Sequence, residues 1–105
     1  MTDYEYIRDK VTGEELLCQL MEECGELACA ANHLRRARNE VNPTPKDLLD
    51  ATVEFEEEIA DVLTVLNAIG DYTTAVNINA RIMGEIKFKA ERWKRRLMEH
   101  DVKAE

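Results

Sequence analysis

Long runs of apolar residues at helical spacing, cut by two prolines and one glycine, leave this chain few options. Leu16, Leu17, Leu20, Met21, Cys24, Leu27, Ala28, Ala31 and Leu34 recur every three or four positions, which keeps them on one side of an α-helix running to about residue 38. No segment alternates β-branched and polar residues, so a sheet has nothing to build on. Thr12 stands three residues before Glu15, the pattern of a capping box that opens a helix. Pro43 and Pro45 forbid a continuous helix through the stretch NEVNPTPKD. Thr44 is then the expected N-cap of a second helix, with Pro45 at its first position and Asp47 in an acidic first turn. That helix should run from about 46 to 69 and stop at Gly70-Asp71. A third should start near Thr73 or Thr74 and continue to about 99. Gly84 interrupts it at about 1 kcal/mol relative to Ala, either as a tolerated surface glycine or as a point of close helix contact. Residues 1–11 suit a short helix or an arm.

Three helices, each on the order of 36–40 Å long at 1.5 Å per residue, with few connections, make an all-α, long-helix bundle. The 105 residues suit a single domain, 1–105, and at 45% hydrophobic they can build a core, though a modest one. Three helices fall one short of a four-helix bundle. Completion by homo-oligomerisation, as a dimer or tetramer, is the natural expectation.

The charge excludes more than it suggests. Net charge is −8, from 22 acidic and 14 basic residues, which argues against a nucleic-acid partner, since phosphate backbones need a positive surface. Basic residues gather at Arg35, Arg36 and Arg38, and again from Lys87 to Arg96. Cys18, Cys24 and Cys29 are odd in number and lack a Cys-x-x-Cys pair. They read as small buried apolar residues in a reducing, cytoplasmic setting. No apolar run suits a membrane span, and the N-terminus MTDYEYIRDK is too charged for a signal peptide.

Two acidic clusters remain: Glu22, Glu23 and Glu26 in MEECGELACA, and Glu54, Glu56, Glu57, Glu58 and Asp61 in VEFEEEIADV. On a wheel of about 100° per residue, Leu20, Leu27 and Leu34 lie within roughly 40° of Leu16, and Glu23 only about 20° away. Glu26 falls about 80° off on one flank, with Glu22 beyond it. On the second helix Leu48, Phe55, Ile59, Val62, Leu66 and Ile69 define the apolar face, and Glu58 falls inside it. Asp61 and Glu54 sit on its border; Glu56 and Glu57 point away. Like charges one turn apart repel, and an unpaired buried carboxylate costs several kcal/mol. Glu23 with Glu26 and Glu58 with Asp61 each offer two oxygens from one turn. Packed side by side they would form an anionic pocket of the kind Mg²⁺ takes, with Mn²⁺ as a possible substitute. The plainer reading of either motif alone is a solvated acidic face.

Glu22-Glu23-Cys24-Gly25-Glu26 followed by Glu58-Ile59-Ala60-Asp61, with the surrounding EECGEL, LRRARNEVNPTP and EEIADVLTVLN, resembles the MazG-like all-α nucleoside triphosphate pyrophosphohydrolases. The C-terminal KAERWKRRL looks like the basic helix of phage- and prophage-type members, and the likeness runs over residues 14–97. It implies an oligomeric helical fold and Mg²⁺-dependent hydrolysis of a (deoxy)nucleoside triphosphate to the monophosphate and pyrophosphate. It also implies that Glu23, Glu26, Glu58 and Asp61 are metal ligands. Glu22 is the remaining motif acid, a ligand or a base that orients water. Lys89 and Arg92, with Lys87 a looser match, would meet the triphosphate. The charge argument agrees, because a triphosphate entering an acidic site needs cations around it. The base-binding residues are not legible. Trp93 and Tyr72 could stack on a base, although a lone helical Trp is more often core or interface. Asn77 and Asn79 carry no distinguishing signal, and His33 and His100 read as surface or partner-bonded residues.

A carboxylate-bridged di-iron bundle would need Glu-x-x-His on two helices, and the residues three before His33 and His100 are Ala30 and Leu97. The rivals that survive are non-catalytic: an acidic helical oligomer that binds a protein partner, or one that senses a nucleotide without turning it over.

Overall fold

The computed structural model describes residues 2–39, 41–70 and 78–104, with side chains from residue 80 onward in the last segment. Four helices follow in order: α1 (Asp3–Lys10), α2 (Gly13–Asn39), α3 (Leu48–Gly70) and α4 (Ile78–Ala104). No strand occurs among the described residues. The fold is all-α. The chain divides into two compact units, Met1–Tyr72 and Thr73–Glu105.

In the first unit local chemistry sets each helix start. Thr2 and Glu5 form a reciprocal capping box on α1, both bonds 3.1 Å. Arg8 Nη1 then donates to the carbonyls of Asn67 (3.5 Å) and Ala68 (3.3 Å). A cation at the C-terminal carbonyls of α3 satisfies groups the helix leaves open. The expected cap at Thr12 is present, its hydroxyl accepting from Glu15 N at 3.2 Å.

The start of α3 differs from expectation. Asp47 is the capping residue, its carboxylate accepting from Asp50 N at 2.8 Å, and Thr44 with Pro45 lie outside the helix. The reason is on α2. Arg36 donates to Asn42 O at 2.8 Å and to Pro43 O, which ties the connection to α2 and leaves Asp47 as the first side chain able to cap.

Helices α2 and α3 run antiparallel, as the pairing of His33 with Glu54, and of Glu23 and Glu26 with Glu58 and Asp61, requires. Positions 16, 20, 23, 27, 30 and 34 on α2 are buried or half-buried, and so are 51, 55, 58, 62, 65 and 69 on α3. Both sets alternate steps of four and three, the spacing of a coiled-coil seam. The seam also explains a correction. Cys18, Cys24 and Cys29, expected to be buried, are all exposed, because none occupies a seam position. Leu17 and Met21, part of the same apolar run, are exposed too, as are Leu48 and Leu66 on α3.

The second unit contains α4. It ends at Ala104, beyond the expected end near 99. Its expected start at Thr73 or Thr74, together with Tyr72 and Asn77, lies outside the described residues. Arg92 is half-buried with its guanidinium 5.7 Å from the Phe88 ring centre, and every other described side chain of α4 is exposed. Trp93, 69% exposed, is not a core residue of the single chain. Among the described residues, a methyl added at Gly84 would meet no atom within 4 Å. No helix among the described residues is long and apolar enough to cross a membrane.

Candidate metal centre

Glu23 and Glu58 each take one position in the middle of a seam otherwise filled by Leu, Ala, Val, Ile and Phe. Packing therefore draws both carboxylates between the helices. One turn on, Glu26 and Asp61 flank them. The four residues bring one carboxylate oxygen each to within 4.8 Å of one another. Glu23 and Glu58 are half-buried, Glu26 and Asp61 exposed, so the group is a notch open to solvent on one side.

The electrostatics follow from this crowding. The Glu26 carboxyl is pushed up from 4.5 to about 7, chiefly by the charge of Glu23 and the hydrogen bond between them, with burial and then Glu58 adding to it. Near neutral pH the notch holds a proton that four separated carboxylates would not hold. Glu23 Oε2 and Glu58 Oε2 are also buried without a hydrogen-bond partner. Orphaned acceptors of this kind cost free energy, which the proton held by Glu26, a water or a cation would offset.

A divalent cation fits. All donors are hard carboxylate oxygens, the set Mg²⁺, Mn²⁺ and Ca²⁺ prefer. Two oxygens on opposite sides of Mg²⁺ stand about 4.2 Å apart, and around Ca²⁺ nearer about 4.8 Å. The observed spread of up to 4.8 Å is of that size.

The remaining acids separate by face. Glu22, Glu56 and Glu57 are exposed and outside the quartet. Glu54, one turn from Glu58, belongs to another cluster. His33 Nδ1 lies 3.1 Å from its Oε1, and Lys46 donates to its Oε2. The Lys46 bond, helped by His33, holds the Glu54 carboxyl below its ordinary range despite its burial. His33 is thus partner-bonded, and His100 is exposed with Nδ1 4.0 Å from Asp101. Lys87 and Lys89 are exposed on α4 in the second unit, where Arg92 leans on Phe88.

Sequence reasoning passed over Gln19, whose Nε2 donates to Glu23 Oε1 at 2.7 Å. The signal was its place four residues before Glu23 on a helix, where Gln and an acid meet side by side. Compared with protein-family models, curated proteins and solved structures, the chain matches none.

Proposed function

We propose that this protein is a Mg²⁺-dependent nucleoside triphosphate pyrophosphohydrolase of the MazG-like kind, releasing pyrophosphate and a nucleoside monophosphate. The observation that carries the reading is the quartet Glu23, Glu26, Glu58 and Asp61, drawn from two helices onto one notch with two buried oxygens unpartnered. These four residues would hold the cation. When bound, Mg²⁺ supplies charge neutralisation and Lewis acidity toward a phosphoryl group. The chain's own residues do the rest. Glu26 holds a proton near neutral pH in the cation-free notch and would release it on cation binding. Glu22, on the same turn but exposed, is the acid left to orient water. Lys89, Arg92 and Lys87 on α4 are the basic residues that, by the likeness noted in the sequence, would meet a triphosphate. Exposed Leu17 and Met21 on α2 and Leu63 and Leu66 on α3 favour assembly into a homo-oligomer. Three exposed thiols suit a reducing, cytoplasmic setting.

The test is pyrophosphate release from a panel of dNTPs and NTPs, with Mg²⁺ and with EDTA. Release that depends on the metal is expected, and the panel would name the base. The alternative reading keeps the notch but not turnover: a nucleotide sensor. Cation and nucleotide binding with no pyrophosphate from any member of the panel would favour it. A folded protein that binds no cation would point instead to a partner-binding bundle.

A further inference from the structure

Gln19 stands outside the four candidate ligands, and its amide is committed to one of them. Its Nε2 donates to Glu23 Oε1 at 2.7 Å, a short bond for a nitrogen donor. That leaves Glu23 with two unlike oxygens. Oε1 is engaged along α2, and Oε2 is buried with no partner. A glutamate has three rotatable side-chain bonds and several ways to face away from a crowd of like charges. Three further carboxylates, with oxygens within 4.8 Å of one another and of its own, give it reason to do so. A neutral donor that holds the outer oxygen along the helix opposes that rotation without adding a charge that would compete with a cation.

We infer that Gln19 is a positioning residue for the cation site: its amide fixes the Glu23 carboxylate so that Oε2 is presented to a divalent cation. An outer donor holding a ligand in this way is a general device of metal sites, and its removal typically weakens binding by about 10–100-fold. An ordinary exposed Gln–Glu pair on a helix would contribute only a few tenths of a kcal/mol to helix stability and nothing to cation affinity. The two roles therefore separate by measurement. This inference rests on the proposed metal centre, though not on turnover.

The experiment is Mn²⁺ titration, followed by electron paramagnetic resonance of the free ion, on the unaltered chain, Gln19→Met and Gln19→Ala. The metal-free melting midpoint of each is recorded alongside. Met keeps the length and removes the donor; Ala, the best helix former, guards against a folding defect at this exposed position. Neither substitution changes the charge, so a general electrostatic effect is excluded. The expected result is an approximately tenfold weaker Mn²⁺ affinity in both variants, with metal-free midpoints unchanged. Equal Mn²⁺ affinity in all three proteins would overturn the positioning role and leave the metal centre standing. So would an affinity loss matched by a fall in the metal-free midpoint of both variants, since that is a structural effect. Failure of the unaltered chain to bind Mn²⁺ would remove the metal centre itself, and this inference with it.

Discussion

Helices α2 and α4 are each 27 residues long, yet the protein uses them differently. Along α2 a regular row of positions is buried or half-buried against α3, and Glu23 and Glu58 are members of the two facing rows. Along α4 no described side chain is buried. Both helices carry a cluster of like charges in sequence. On α2 the cluster is gathered with a second one, because an acidic helix packs against it. On α4 the charges spread around the axis: at about 100° per residue, Lys87 and Lys94 share one flank while Lys89 and Arg96 lie roughly opposite. Neighbours in sequence become neighbours in space only when packing makes them so.

The comparison breaks most visibly at Glu58. Glu58→Gln should lower pyrophosphate release by about 10³-fold with the helical circular dichroism intact. Metal-free stability should rise in the same variant, because an uncompensated half-buried charge is gone. Activity that survives the substitution would mean the seam carboxylate is not what the reaction uses.

Next in size is the core itself. Leu16→Ala should cost about 2–4 kcal/mol by chemical denaturation, since Leu16 is 4% exposed. Leu97, 56% exposed on α4, should cost less than about 1 kcal/mol in the same assay if the chain is monomeric. A Leu97→Ala cost as large as that of Leu16→Ala would show that α4 is covered in solution, and size-exclusion chromatography of the two variants would say whether a second copy covers it.

A third test sharpens the division of labour between acids and bases. Lys89→Ala and Arg92→Ala should each raise KM for the nucleotide by about tenfold, without altering Mn²⁺ affinity. A change in Mn²⁺ affinity in either variant would contradict that division.

The smallest effect is a pH dependence with a definite sign. The Glu26 carboxyl is raised in the folded protein to about 7 from 4.5, so the native state binds the extra proton between those values. Its contribution to stability is complete below about 4.5 and is lost as pH rises through about 7. Metal-free melting midpoints should therefore drift down from pH 5 to pH 8, and saturating Mg²⁺ should remove the drift by neutralising the notch. Mg²⁺ affinity should rise over the same range, since binding displaces the proton.

What could be read from the sequence follows one rule. Periodicity identified the three long helices, and the wheel placed Glu58 among apolar residues and Glu23 at their edge, because a carboxylate at a seam position interrupts a pattern that is otherwise easy to see. The same pattern misled at Cys18, Cys24 and Cys29. A small apolar residue fits a buried or an exposed position equally well, and only the partner helix decides which. Thr44 and Pro45 looked like a helix start by local rules, but Arg36 reaches the connection from the other helix, and such a contact has no local signature. Gln19 was legible in its spacing as a neighbour of Glu23 and as nothing more. Which oxygen of Glu23 it leaves over is a fact of three-dimensional geometry.

The antiparallel pairing of α2 with α3 also orders events in time. All four candidate ligands lie on helices that are consecutive in the chain, joined by the short connection that Arg36 holds. Contacts between such neighbours close small loops, and helical pairs of this kind form in microseconds to milliseconds. As the chain is synthesised, the ligand set is complete once α3 has emerged, before α4 exists to contribute anything. All four candidate ligands thus belong to the earlier part of the molecule, and any role that awaits the basic helix comes second.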